Sequence, residues 1–295
     1  MKEGPAVAAA FTRPVFRDLA NGRGLPEGVA RTLTQVADPP AKARRSVELV
    51  GGRSLGRAFD AAFGVLGQRY RCEYYYKAQI VSKVVFGRHS PRTATPLIEF
   101  AMGAAIADLV VVNGTTSVYE IKTDLDNFDR LEGQLDQYGT RAEFTNVVVS
   151  ERRAQQAVRA LPEWVGVLAL RRNGALATLR APRSRLDSII AEQQFHLLRT
   201  DEARRAVALT TGRCVDAPTG AAYPLLREAF AAFSPTQSNA AVVAQLRNRG
   251  SRAAALVATP GFPASLRALA YAQPLSGVGA RRLVDALVLP VRSAT

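Results

Sequence analysis

Cysteine is nearly absent: Cys72 and Cys214 are the only two in 295 residues. Two thiols so far apart build neither a disulfide framework nor a thiolate metal cluster. Histidine is as scarce, and His89 and His196 are isolated from each other, which excludes a His-based ligand set and leaves both as surface or packing residues. No apolar run reaches the length of a membrane span. The best candidate, residues 97–112, is interrupted by Glu99 and Asp108. The first residues carry one lysine, one acid and a short Ala-rich stretch, which is not the pattern of a signal peptide. These absences predict a soluble, cytoplasmic protein without a membrane partner.

Acidic residues are also few. Lys and Arg number 39 against 25 Asp and Glu, a net charge of +14. The excess is concentrated late: residues 151–295 hold 20 basic and 9 acidic side chains, and every one of those bases is arginine. Arginine forks match phosphate oxygens, so the imbalance points to a nucleic-acid surface. A solvated basic face under a coding bias toward arginine is the bland alternative. The acids that exist cluster, with Glu120, Asp124, Asp126, Asp129, Glu132 and Asp136 close together, as a cation site would require.

Periodicity divides the chain into three expected segments: 1–53, 54–184 and 185–295. The first predicts short helices over 14–20 and 26–37, punctuated by Asp38-Pro39-Pro40 and Gly51-Gly52. Gly51-Gly52-Arg53-Ser54 lacks the lysine and spacing of a phosphate loop and reads as a turn. Ser54 caps a helix whose stripe is Leu55, Ala58, Phe59, Ala62, Phe63 and Leu66. A second helix is expected over 71–86. Strands follow at 97–102, 108–112 and 117–122, then a helix with Asp126 as N-cap and Phe128, Leu131 and Leu135 inward. Further strands are expected at 146–149, 165–170 and 176–180. Beyond residue 184 the pattern is helical. The sum is an α/β core, a mixed sheet flanked by helices, with a C-terminal all-α extension.

Asp108, Glu120 and Lys122 carry the chemistry. Glu120 and Lys122 are two apart on one strand and share a face. A carboxylate and an ammonium on a buried strand are costly unless they have a partner or a task. Whether Asp108 joins them depends on hairpin parity. A two-residue loop at Asn113-Gly114 sets Asp108 opposite Tyr119, on the wrong face. A three-residue loop over 113–115 pairs Val112 with Thr116 and sets Asp108 opposite Glu120, where two carboxylates can hold one divalent cation; a five-residue loop or a bulge gives the same parity, and one of the three is expected. A salt-bridged pair at a sheet edge is the structural alternative.

The ordered set Ala107-Asp108, Glu120-Ile121-Lys122 resembles the signature of the PD-(D/E)XK nuclease superfamily. Gln134 and Tyr138, one helical turn apart, are similar to the Gln-x-x-x-Tyr motif of its RecB-type members. Glu73-Tyr74-Tyr75-Tyr76-Lys77, Glu99-Phe100, Asp126 and Arg130-Leu131 extend the resemblance toward a bacterial branch, over about residues 54–150. Two departures stand out: Ala107 occupies the proline position, and Ile106 stands where a basic residue is expected. The resemblance implies a restriction-endonuclease-like core and a Mg²⁺-dependent nuclease, with Mn²⁺ able to substitute. Asp108, Glu120 and the Ile121 carbonyl would ligate the metal, and Lys122 would orient water or stabilise charge. Glu73 would add an acid, Gln134 and Tyr138 would touch the DNA backbone or fix the lysine, and Glu99 would lie at the site edge. The implied substrate is DNA, with RNA as the alternative polymer, and the implied products carry a 5′-phosphate. Lys77 and Arg130 stand as nucleic-acid contacts. So do Arg281 and Arg282, which follow Leu275-Ser276-Gly277-Val278-Gly279, a run similar to the hairpin of helix-hairpin-helix modules. The competing expectation is a catalytically silent nucleic-acid-binding module of the same fold. Trp164, Tyr74 and Tyr75 read as packing residues more than as base-stacking platforms.

Overall fold

The computed structural model describes residues 3–37 and 54–290. Asp38-Pro39-Pro40 and Gly51-Gly52-Arg53 lie outside the described residues. The chain forms two compact units, Met1–Ser82 with Arg252–Thr295, and Lys83–Ser251. These divisions differ from the sequence-based boundaries at 53/54 and 184/185.

The first unit opens with α1 (Glu3–Ala8), α2 (Arg13–Ala20) and α3 (Glu27–Ala37). α4 (Leu55–Arg69) starts where expected, because the Ser54 hydroxyl accepts the Arg57 N–H at 3.4 Å. Its stripe Leu55, Ala58, Phe59, Ala62 and Leu66 is buried. α5 (Glu73–Ile80) follows and widens into a π-helix over Val81–Arg88, within which the division between the units falls. Phe11 stacks on Tyr74 at 5.1 Å between ring centroids, and Phe63 on Tyr75 at 4.9 Å. The tyrosines are therefore spent on packing.

The second unit is built on a six-stranded sheet whose spatial order follows the chain. β1 (Thr95–Met102), β2 (Ala105–Val112) and β3 (Thr116–Lys122) are antiparallel neighbours. β4 (Phe144–Ser150) runs parallel to β3, and β5 (Gly166–Leu170) parallel to β4. β6 (Leu176–Arg180) closes the sheet antiparallel to β5. Each parallel step needs a crossover, supplied by α6 (Leu131–Gly139) and α7 (Ala154–Ala160). The core joins Val110, Val118, Val147 and Val149 to Leu131, Leu135 and Tyr138 of α6.

Helices α8 (Ala191–Phe195), α9 (Thr200–Thr211), α10 (Thr219–Ala231) and α11 (Pro235–Asn248) contribute Phe195, Phe230 and Leu246 to the same core. A buried polar network reinforces this attachment. Asn239 Oδ1 accepts from the Thr116 hydroxyl at 3.2 Å and from Gln194 Nε2 at 3.3 Å, while Asn239 Nδ2 donates to Glu143 at 3.1 Å. The helical extension thus begins as part of the sheet unit. It then divides: α12 (Ser251–Val257), α13 (Arg267–Ala272) and α14 (Gly277–Val288) belong, but for Ser251, to the unit of the N-terminal helices. Tyr74 of α5, for example, donates its hydroxyl to the Ser265 carbonyl. Among the described residues no helix is long and apolar enough to cross a membrane.

Candidate active site at a fork between two strands

The β2–β3 hairpin has a three-residue loop, one of the arrangements that satisfy the parity argument. Gly114 takes the left-handed conformation at φ +69°, and Asn113 N–H reaches the Thr115 carbonyl at 3.0 Å. Val112 pairs with Thr116 and Leu109 with Tyr119, a register that one step further sets Asp108 on the same face as Glu120. There the ladder stops. β2 stays paired with β1, from Phe100 opposite Ala107 to Met102 opposite Ala105, while β3 stays paired with β4 through Lys122. The strands fork, and the fork strands the N–H of Ile121. Asp108 Oδ2 accepts that N–H at 2.8 Å, which fixes the carboxylate against the backbone of β3.

Glu120 is only 3% exposed and is held by three donors. Its Oε1 accepts from Gln134 Nε2 at 2.7 Å and from Lys122 Nζ at 3.1 Å. Its Oε2 accepts from the Tyr138 hydroxyl at 2.8 Å. Lys122 Nζ donates a second bond, 3.0 Å, to Gln134 Oε1. The Tyr138 hydroxyl also lies 3.2 Å from the Ile106 carbonyl. It has one proton, and the shorter, charge-assisted bond to Glu120 takes it. Burial raises the Tyr138 phenol well above its ordinary range, and the Glu120 charge adds to the rise. The phenol therefore remains a donor at any working pH. Gln134 and Tyr138, on one face of α6, grip both oxygens of a carboxylate that would be costly if buried alone.

The oxygens at the fork suit a hard divalent cation. Asp108 and Glu120 flank the Ile121 peptide, one bonded to its N–H and the other one residue before it. Glu120 Oε1 already takes two donors, so Oε2 is the oxygen with room for another partner. Among the described residues no three His, Cys, Asp or Glu side chains gather as a ligand group. Two carboxylates and a carbonyl match the habit of Mg²⁺, which keeps waters and completes its shell with substrate phosphate.

The structure therefore brings together Asp108, Glu120, Ile121, Lys122, Gln134 and Tyr138. Glu73 and Lys77 lie in the other unit, where they form an i,i+4 ion pair with Lys77 buried. Glu99 is exposed on β1 in register opposite Asp108, between the pairs Ile98–Leu109 and Phe100–Ala107. It is the only described non-glycine residue with positive φ, +52°. Arg130 is exposed at the N-cap of α6. Arg281 and Arg282 are exposed in the first turns of α14, which Ser276 caps by accepting Gly279 N–H at 3.1 Å. Arg281 also lines a groove of that unit together with Arg252, Leu256 and Val284.

The expected N-cap role of Asp126 is corrected. Its Oδ2 accepts the Thr123 N–H at 2.8 Å and the Thr123 hydroxyl at 2.7 Å, closing a turn after β3 and delaying α6 to Leu131. Sequence reasoning missed the clamp on this turn. Arg153 donates to the Thr123 carbonyl at 2.7 Å and lies 4.4 Å from the centre of the Phe128 ring. Only the Thr-x-x-Asp spacing signals the turn, and nothing local signals Arg153. Trp164 is covered by Arg185 at 5.0 Å and packs near Gly139, in keeping with a packing residue.

The family model of bacteriophage P4 protein cII matches residues 67–257, a span containing the whole fork. Among solved structures, a protein of unknown function from Silicibacter pomeroyi is similar at 17% identity, covering 43% of this chain and 87% of its own, with a TM-score of 0.29. No curated protein matches the chain.

Proposed function

The chain belongs to the family of bacteriophage P4 protein cII, and for this member we propose a metal-dependent nuclease of PD-(D/E)XK type that hydrolyses DNA phosphodiester bonds. The observation that carries the reading is the fork itself. Asp108 and Glu120 meet there across separating strands, with the Lys122 ammonium bonded to Glu120. Asp108, Glu120 and the Ile121 carbonyl would hold Mg²⁺ or Mn²⁺. When bound, that ion supplies positive charge at the phosphate oxygens and acidity to water.

The protein's own groups do the rest. Lys122 supplies N–H donors and a positive charge beside the place where charge builds on the phosphate. Gln134 holds both that ammonium and Glu120, so the two approach a substrate in fixed relation. Tyr138 anchors the other Glu120 oxygen with a proton that burial keeps in place. The superfamily resemblance implies 5′-phosphate products. The net charge of +14 favours a polyanionic substrate. Both cysteines are free, which agrees with a reducing, cytoplasmic setting.

The three internal donors that already engage Glu120 favour a second reading, a silent module that binds nucleic acid without turnover. Cleavage of plasmid and single-stranded DNA with Mg²⁺ or Mn²⁺ separates the two. The nuclease reading expects activity in the wild type and a loss of roughly 10²-fold or more in Lys122→Ala and Asp108→Ala, with both variants folded. Equal inertness of all three proteins, with DNA binding retained, establishes the silent module instead.

A further inference from the structure

Two exposed aliphatic side chains adjoin the fork, Ile106 at 61% exposure and Leu125 at 88%. Ile106 lies two residues before Asp108. Along that stretch Ala107 and Leu109 are buried while Ile106 and Asp108 are not, so alternation turns Ile106 to the same open face as the carboxylate. Its register partner on β1, Ala101, is also apolar and exposed. Leu125 lies three residues beyond Lys122, at the tip of the turn closed by Asp126 and clamped by Arg153.

Both supports are fixed. The Arg153 clamp holds the Leu125 turn. The β1–β2 turn beside Ile106 is pinned by Gln137, whose Oε1 accepts the Ala104 N–H at 3.3 Å. A single exposed aliphatic residue is ordinary. Here two are presented on held backbone within three residues of the proposed catalytic groups.

A closed duplex crossing an active site is gripped through its phosphates by cations and N–H donors. Aliphatic side chains cannot hold phosphate, but they do take the apolar faces of unstacked bases. We propose that Ile106 and Leu125 receive the bases flanking the scissile phosphate, and that the substrate is single-stranded DNA. A single strand exposes those faces without the cost of unpairing. This inference rests on the nuclease reading above.

The test uses the full chain with Mg²⁺ on a labelled single-stranded oligonucleotide and on the same sequence as a hairpin-closed duplex. Wild type, Ile106→Ser, Leu125→Ser and the double variant are compared, with thermal midpoints measured to confirm folding. The wild type is expected to cleave the single strand at least about tenfold faster than the duplex. The double variant is expected to lose about tenfold on the single strand, chiefly through KM, and to change little on the duplex. Equal wild-type rates on both substrates, or a double variant that keeps the single-strand preference, overturns the proposal. If the wild type cuts neither substrate with Mg²⁺ or Mn²⁺, the nuclease reading falls. The base contact is then read separately, from 2-aminopurine fluorescence of the same oligonucleotide with metal withheld. A response that both serine substitutions weaken supports the contact, and one unchanged in both refutes it.

Discussion

Glu120 sits almost entirely out of water with three donors on two oxygens. Each of those donors offsets part of the cost of burying such a carboxylate. Tyr138→Phe removes one and keeps the ring that fills the core. The expected cost is about 1–3 kcal/mol in chemical denaturation, the penalty of a buried acceptor losing its partner. Mn²⁺ is expected to restore part of the loss, since a cation bound only by the folded state stabilises it by mass action. A stability change below about 0.5 kcal/mol shows instead that water replaces the phenol and that Glu120 is not sealed. That Asp108, Glu120, Lys122, Gln134 and Tyr138 gather was largely legible in the sequence, whereas the place of Glu73 and Lys77 was not. A Glu-x-Lys alone says little, but the ordered set with Asp108, Gln134 and Tyr138 says more, and the need for Asp108 to share the face of Glu120 excluded the plain two-residue loop, leaving a three- or five-residue loop or a bulge, of which the hairpin adopts the first. Asp126 was misplaced because a capping side chain and a turn-closing one look alike in sequence. The competition is settled by Thr123, which offers both an N–H and a hydroxyl to the same oxygen.

At the scale of elements, the strands announced themselves and the attachments did not. β1 to β6 follow apolar runs and Gly punctuation that any chain of this pattern must obey. α7 and α12 carry short Ala-rich stripes that do not stand out from their neighbours. The docking of α8–α11 on the sheet depends on partners far apart in sequence, such as Asn239 with Thr116 and Glu143. No local pattern encodes them. The ion pair between α9 and the residue ending α11 is another such attachment. Arg249 Nε donates to Glu202 Oε1 at 2.8 Å, and the Arg199 N–H donates to Glu202 Oε2 at 2.8 Å. Burial pushes the Glu202 carboxyl up, but the Arg249 guanidinium and the Arg199 N–H outweigh it and hold it below its ordinary value. A carboxyl depressed in the fold stabilises it fully above its unfolded value, about 4.3, and that contribution fades as pH falls through the lower folded value. The thermal midpoint of the wild type should therefore drop as acid is added below about pH 5. Glu202→Gln should start lower at neutral pH and show a shallower acid slope. Parallel slopes for the two proteins would remove Glu202 from the acid response.

For the whole molecule, the sequence's change from strands to helices near residue 184 suggested either a small all-α domain or a helical extension packed on the core. The division instead assigns the helices up to Ser251 to the sheet and those from Arg252 onward to the N-terminal helices. Periodicity identifies helices but not the surface each one covers, so this arrangement was out of reach. The charge distribution was legible, and it sets a context in which a small acidic fork lies within a strongly basic chain. Such a contrast suits the proposed function, in which the chain would gather a polyanion broadly and hold a cation at one point. The most direct measurement of that account is anomalous diffraction from crystals soaked in Mn²⁺. A peak is expected between the Asp108 and Glu120 carboxylates, within ligand distance of the Ile121 carbonyl, and it should be lost in Asp108→Asn. A fork without manganese in the wild type, at a concentration that supports or fails to support cleavage alike, would contradict it.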